Sequence, residues 1–190
     1  DRERVNNFAE EIVRYCHSIR EIVVDLSSYS RSNSNHSGEQ TNLNDAIGDA
    51  IRLVGHAAPI DSVEIIPSLS GNRTILGTKT ELTQVFVNLI KNAVEAVIDE
   101  SPNDGGRVRI ETGEAIDHIW AKVTDNGVGI PEDVKNQVFD PFYTTKPPGK
   151  GTGLGLNVVY RIVTKHRGSI QVLQTEHNET QFHITFPIVK

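Results

Sequence analysis

The stretch that decides the fold is residues 125–156, DNGVGIPEDVKNQVFDPFYTTKPPGKGTGLGL. Two glycine-bearing turns, 125–129 and 151–155, flank a segment that carries Lys146 and a Pro-Pro-Gly-Lys run. Each turn leads into a helix-like pattern, with a proline and two acids at 131–133 and apolar residues at helical spacing over 154–165. Glycines directly before a helix let backbone N–H groups approach a phosphate. The stretch therefore predicts a nucleotide pocket covered by a mobile flap, residues 139–150.

Other interpretations of these glycines fit less well. Asp-Asn-Gly alone is a strong hairpin signal, but the following Val-Gly-Ile-Pro-Glu-Asp does not alternate as a second strand would. The later glycines lack the Gly-Lys-Ser/Thr ending of a Walker A loop. Pro-Pro-Gly-Lys, rather than a strand, precedes them, which does not fit a dinucleotide-binding fingerprint. The two turns together favour a pocket of another kind.

Upstream, residues 79–100 predict a long helix with one apolar face. Asn88 and Asn92 lie one turn apart on it. Asparagine is a mediocre helix former, so this pair suggests a use. Amide oxygens suit Mg²⁺ alongside waters and substrate phosphates. The alternative is that both side chains are exposed or satisfy a neighbouring loop.

Four segments alternate apolar and polar residues and predict strands with one buried face, at 107–111, 118–124, 170–174 and 182–188. Asp125 continues the inward-facing parity of Ile119, Ala121 and Val123. Its carboxylate should therefore point into the enclosed space, where a ligand amine could pair with it. With short strands near 63–65 and 74–76 and a helix from 43 capped by Asn42 or Thr41, the pattern predicts a two-layer α+β sandwich with helices on one face of a mixed sheet.

The N-terminal region carries a different pattern. Over residues 5–29 apolar side chains recur at alternating spacings of three and four, an uninterrupted heptad pattern. This narrow stripe predicts a coiled-coil-like helix that packs on another helix or chain, the alternative being a structural arm. Serines and asparagines follow, as in a linker. We therefore expect a helical unit at 1–34, a linker at 35–41 and a globular domain at 42–190.

The composition restricts the function classes. The 190 residues are 37% apolar, enough for one domain and an appendage. A net charge of −6 argues against nucleic acid or an anionic membrane as main partner. The single Cys16 excludes an intramolecular disulfide and fits a reducing, cytoplasmic compartment. No apolar run approaches the ~20 residues that cross a bilayer. Because the chain contains no Met, we expect a fragment whose membrane attachment, if any, lies elsewhere.

These motifs together resemble the ATP-binding catalytic domain of two-component sensor histidine kinases, whose superfamily includes DNA gyrase, the ninety-kilodalton heat-shock chaperone and MutL. The resemblance covers residues 41–190. Residues 88–96, NLIKNAVEA, look like its N box, and residues 125–129 and 151–156 look like its two glycine boxes. Residues 139–142 look like its F box, and 166–170 and 180–182 match its closing strands. Glu179 departs from the pattern, because a glycine is usual there.

The resemblance implies a site for ATP and Mg²⁺. Asp125 would accept a hydrogen bond from the exocyclic amine of adenine, with Thr180 nearby, and Asn92 and Asn88 would hold the metal. Lys146 would contact the γ-phosphate, and with Asn88 it would be catalytic. Phe142 and Tyr143 would anchor the flap. The implied nucleotide-binding set is Asn88, Asn92, Asp125, Gly127, Gly129, Ile130, Lys146, Gly151, Thr152, Gly153, Leu154, Gly155 and Thr180.

The resemblance also implies a chemistry and partners. A protein-histidine kinase would transfer the γ-phosphate to a histidine upstream of this chain, for relay to a response-regulator aspartate, and would form a homodimer through the N-terminal helix. In the related ATPases a glutamate one turn before the Mg²⁺-binding asparagine is the general base. Here that position is Asn88, so about 10² to 10⁴ of hydrolytic rate should be missing. A gyrase-like or MutL-like ATPase, a serine-kinase anti-sigma module and a regulatory binding module are the alternatives.

Overall fold

The computed structural model describes residues 39–57, 62–100, 105–147 and 151–188. The helical unit predicted at 1–34, with Cys16, lies outside the described residues, as does most of the predicted linker. The elements are β1 Gln40–Asn42, α1 Leu43–Ala57, β2 Val63–Ser68, β3 Thr74–Leu76, α2 Lys79–Glu100, β4 Gly106–Glu114, β5 His118–Asp125, α3 Gly155–Lys165, β6 Ser169–Gln174 and β7 Thr180–Pro187.

The main sheet has five strands in the order β2-β4-β5-β7-β6. Strand β2 runs parallel to β4, and the remaining pairs are antiparallel. The sheet is therefore mixed, as predicted. Strands β1 and β3 form a separate antiparallel pair.

The core lies between the helices and one face of this sheet. On β5, Ile119, Ala121 and Val123 are buried, which confirms the parity read from the sequence. Helix α2 buries the apolar positions that its periodicity predicted: Leu82, Val85, Phe86, Leu89, Ile90, Ala93, Val94 and Val97. The α+β sandwich is thus confirmed. None of the helices in the described ranges has both the length and the apolar character needed to cross a bilayer.

The start of the globular unit differs from the expectation. Strand β1 begins inside the predicted linker, since Gln40 pairs with Leu76 and the Thr41 hydroxyl donates to the Gly77 carbonyl at 2.5 Å. The side chain of Asn42 accepts a hydrogen bond from the backbone N–H of Asn44 at 2.8 Å, so it caps α1 as predicted. Polar composition alone did not reveal that these residues pair with a distant strand.

The helix expected after the first glycine turn is also reduced. Only a single 3₁₀ turn forms, at Glu132–Val134, and it buries no residue. An isolated turn without an apolar face to bury cannot offset the cost of helix nucleation. The proline and the two acids therefore mark a short turn rather than an α-helix.

Candidate functional site

A cavity of about 590 Å³ lies between α2, the end of β5, the flap and the start of α3. All the residues implied to bind nucleotide line it, except Gly127 and Leu154. The residues that line this cavity come from segments far apart in the chain, and the fold brings them together. A second cavity, of about 610 Å³, lies beside α3 and β6 and contains none of the implied residues.

Asp125 lies at the end of β5, paired with Val108 on one side and Thr180 on the other. It is only 3% exposed, and its Oδ1 accepts a hydrogen bond from the Gly127 N–H at 3.0 Å. Burial raises the pKa of this carboxyl to about 6, the Gly127 N–H opposes the rise, and the charge of Glu179 adds to it. A desolvated carboxylate in a cavity wall is costly by itself, so it favours a ligand that donates a hydrogen bond.

Helix α2 presents a polar stripe to the cavity. Asn88, Asn92 and Glu95 are three or four residues apart and all line it, as does Lys91. The Asn88 Nδ2 donates to the Gly155 carbonyl at 3.3 Å, which ties α2 to the start of α3. The alternative in which this asparagine satisfies a neighbouring loop is therefore partly realised. The same bond orients its amide group within the site.

In the first glycine turn, Gly127 and Gly129 are required for different reasons. A Cβ on Gly127 would lie 2.5 Å from the backbone carbon of Ala96, so this glycine permits close packing on α2. Gly127 is not among the residues that line the cavity, so its implied contact with the nucleotide stays a prediction. Gly129 lines the cavity with a φ of 78°, and a Cβ there would meet no atom within 4 Å. A glycine is favoured at position 129 because of the backbone conformation, since no neighbouring atom would clash with a side chain there.

The second glycine turn shows a similar division. Gly153 has a φ of 66°, and a Cβ there would lie 2.4 Å from the carbonyl carbon of Phe142. Leu154 belongs to the implied nucleotide-binding set, and its N–H donates to the Thr152 hydroxyl at 3.2 Å. The Leu154 side chain is buried. Leu154 therefore supports the turn from within.

The start of the flap is attached to α3 through Phe139. Phe142 is 71% exposed, but its N–H donates to the Gly153 carbonyl at 2.9 Å, and Tyr143 lines the cavity, so an anchoring role for these two residues stays a prediction. Phe139 packs against Tyr160, with ring centroids 5.7 Å apart. The Phe139 carbonyl also accepts a hydrogen bond from Asn157 Nδ2 at 2.8 Å. Both contacts are made by α3, through the buried Asn157 and the partly exposed Tyr160, and the sequence did not indicate them.

The sequence patterns did not predict that two acidic residues, Glu95 and Glu179, lie near the site. Glu95 lies one turn beyond Asn92 and forms an ion pair with Lys146, and its helical spacing could have signalled this position. Glu179 is buried and forms an ion pair with Arg109 of β4. No local signal indicates the second pair, because the two residues are 70 positions apart. Its departure from the expected glycine was the only indication.

Comparison with known proteins gives consistent results. Residues 77–190 match the family described as Histidine kinase-, DNA gyrase B-, and HSP90-like ATPase. Sporulation kinase A of Bacillus subtilis (strain 168) is 38% identical over 167 residues, 87% of this chain and 26% of that protein. Signal transduction histidine-protein kinase AtoS of Escherichia coli (strain K12) is 31% identical over 179 residues, 93% of this chain and 28% of that protein.

Among solved structures, the mycobacterial sensor histidine kinase MprB superposes with a TM-score of 0.68 at 26% identity, covering 79% of this chain and 97% of that one. The chain spans about a quarter of the length of the curated relatives described above. The sequence match, the shared fold and the cavity lined by the N-box and glycine-box residues agree. This chain belongs to the histidine kinase-, DNA gyrase B- and HSP90-like ATPase family, as a catalytic ATP-binding domain of the sensor histidine kinase type.

Proposed function

We propose that this chain binds Mg²⁺-ATP and transfers the γ-phosphate to a histidine outside the globular domain, for relay to an aspartate of a response regulator. The observation that carries the proposal is the single cavity in which a buried acid, two asparagines, a flap lysine and a glycine-rich turn meet. Each of these groups suits one part of ATP.

The adenine end is assigned to Asp125 and Thr180. The Asp125 carboxylate is buried at the cavity wall, with one oxygen engaged by the Gly127 N–H. Its second oxygen can accept a hydrogen bond from an exocyclic amine. Ile130 adds an apolar surface beside it. An acceptor at this position favours adenine over guanine, which presents a carbonyl at the corresponding ring carbon.

The phosphate end is assigned to the glycine turn at 151–155, Lys146 and the two asparagines. Asn88 and Asn92 fit Mg²⁺ because amide oxygens are hard ligands that coordinate this ion together with waters and phosphates. The Nδ2 of Asn88 is engaged by Gly155, so Oδ1 is the atom available for a metal. When bound, the ion would neutralise charge on the phosphates.

The proposed chemical step is phosphoryl transfer to a histidine rather than to water. The β–γ phosphoanhydride bond breaks, an N–P bond forms at the incoming imidazole, and ADP leaves. The chain contributes positioning and charge stabilisation, as phosphoryl transfer generally requires. Asn88 stands where the related ATPases carry a general base, and an amide cannot take a proton from water. We infer that bound ATP persists until the histidine arrives.

The remaining partners belong to the whole protein and are proposed with it. A helix at 1–34 would form a homodimer, residues 35–41 would link it to the catalytic domain, and a receiver domain would accept the phosphate. The domain would act in the cytoplasm, with any membrane attachment through other segments.

The test is phosphorylation of the full-length protein with γ-labelled ATP. We expect label on the protein that is lost in acid and retained in alkali, as an N–P bond requires, with ADP as the other product. Steady release of inorganic phosphate without labelled protein would instead support a gyrase-like or MutL-like ATPase. Absence of any heat with Mg²⁺-ATP in calorimetry would support a binding module of another class.

The affinity for ATP should depend on pH through Asp125. Binding needs the carboxylate, whose pKa is raised to about 6 in the free protein. Protons therefore compete with the nucleotide below that pH, and the affinity should fall about tenfold between pH 7 and pH 5. Fluorescence titration with an ATP analogue measures this. The phosphates of the nucleotide titrate in the same range, so the comparison is with Asp125→Asn, whose residual affinity should lack this component.

A further inference from the structure

Lys146 and Glu95 form an ion pair inside the cavity. The lysine belongs to the flap and the glutamate to α2, 51 positions apart, and the Lys146 Nζ donates to Glu95 Oε2. The other carboxylate oxygen, Oε1, lies 3.9 Å from the Nζ of Lys91, one turn earlier on α2. All three residues line the cavity. Glu95 is therefore a carboxylate that two lysines approach within the nucleotide site.

Fold stability does not account for this acid. The side chains of Lys146 and Glu95 are 28% and 35% exposed, and ion pairs of that exposure contribute little to folding. A carboxylate also repels the phosphates of a nucleotide held in the same cavity. An uncharged residue on α2 would avoid that repulsion. The presence of Glu95 therefore calls for a role at the site that offsets its repulsion of the phosphates.

We propose that Glu95 is a positioning residue for Lys146, an inference that rests on the function proposed above. An ammonium group has three donors, so the one engaged by Glu95 leaves two for phosphate oxygens. The lysine side chain is long and flexible, and ordering it on nucleotide binding costs free energy. A carboxylate that holds it in place beforehand removes part of that cost.

The expected consequence is selectivity for the triphosphate. Lys146 is assigned to the γ-phosphate, which ADP lacks, so Glu95 should affect ATP binding and leave ADP binding nearly unchanged. An effect on folding or on the general shape of the cavity would change both affinities together. The ratio of the two affinities therefore separates positioning from a structural role.

Calorimetry with Mg²⁺-ATP and Mg²⁺-ADP on the 190-residue chain tests the proposal. We expect Glu95→Gln to lower the affinity for ATP about tenfold and the affinity for ADP by less than about twofold. The matched control is Glu100→Gln, which removes the same charge from an exposed position on the same helix and should change neither affinity.

A second variant shows whether Glu95 acts through the lysine. In a Lys146→Met background, Glu95→Gln should have no further effect on ATP affinity. Tighter ATP binding by Glu95→Gln, equal losses for both nucleotides, or the full loss persisting without Lys146 would each overturn the proposal. Failure of the proposed nucleotide binding is distinguishable, because the unsubstituted chain would then bind neither nucleotide, and failure of phosphotransfer alone would appear as unlabelled protein in the assay with γ-labelled ATP.

Discussion

Asp125→Asn is expected to lower the affinity for ATP roughly 100-fold, since a hydrogen bond to a charged group contributes about 1.5–3 kcal/mol. The geometry explains why the isosteric amide cannot substitute. One carboxylate oxygen accepts the Gly127 N–H at 3.0 Å, and the other is assigned to the adenine amine. An asparagine has a single oxygen, so in either orientation its NH₂ group faces a donor. Calorimetric titration with Mg²⁺-ATP measures the loss.

The control for this substitution is Asp117→Asn, which removes the same charge at a side chain that is 81% exposed. It should change ATP affinity by less than about twofold, because exposed charges are strongly screened by water and salt. If Asp125→Asn retained the affinity of the unsubstituted chain, the assignment of Asp125 to the adenine would be wrong.

The same substitution should stabilise the nucleotide-free protein. The folded-state pKa of Asp125 is raised from 3.8 to about 6, so folding favours its protonated form. The stability that this group contributes is present below about pH 4 and is lost as pH rises through about 6. Asparagine imitates the protonated form, and at pH 7 it should raise the free energy of unfolding by on the order of 2 kcal/mol.

Thermal unfolding at several pH values checks the effect. The difference in Tm between Asp125→Asn and the unsubstituted chain should be largest near pH 7 and nearly vanish by about pH 4. Differences are needed because other carboxyls act in the opposite direction. Arg73 and Asn72 N–H groups, for example, lower the pKa of Glu114. A Tm difference independent of pH would contradict the assigned cause.

Gly127→Ala should lower the free energy of unfolding by about 3 kcal/mol, which for a chain of this size is a fall in Tm of roughly 6–12 °C. The added Cβ would lie 2.5 Å from the Ala96 backbone carbon and 2.7 Å from its oxygen. The clash is with the backbone of α2 beside the cavity, so no flexible side chain can move aside. The turn must then separate from α2, which also displaces the Gly127 N–H from Asp125.

Gly129→Ala is the matched control two residues later. Its φ of 78° makes alanine unfavourable, but the added Cβ would meet no atom within 4 Å. We expect a cost of only about 1 kcal/mol, from backbone strain. Chemical denaturation of both variants gives the comparison. Equal destabilisation would mean that backbone conformation, rather than packing on α2, explains both glycines.

Much of the domain was predictable because its signals are local. The apolar periodicity of α2 specified its buried face, and the alternation along β5 placed Asp125 on the inward side. The N box and the two glycine boxes were sufficient to identify the family. The helical unit at 1–34 stays a prediction, as do the metal ligands and the roles of individual site residues.

Other features depended on contacts between distant segments. The parallel pairing of β2 with β4 and the pairing of β1 with β3 leave no trace in local periodicity. The contact of Phe139 with Tyr160 was not predictable, because Phe142 carries the same apolar signal and only packing in space distinguishes the two residues. A helix was predicted where only the short turn at Glu132–Val134 forms. Residues typical of a helix start do not reveal whether an apolar face follows.

The sequence by itself determined which face of α2 and of β5 is buried, and where an acid ends an inward-facing run, because side-chain direction follows a fixed local period. Only the tertiary structure decided that Glu95 meets Lys146, that Glu179 meets Arg109, and that Gly127 packs closely against α2. Those contacts depend on how separate segments pack in space, and residue spacing along the chain contains no measure of that distance.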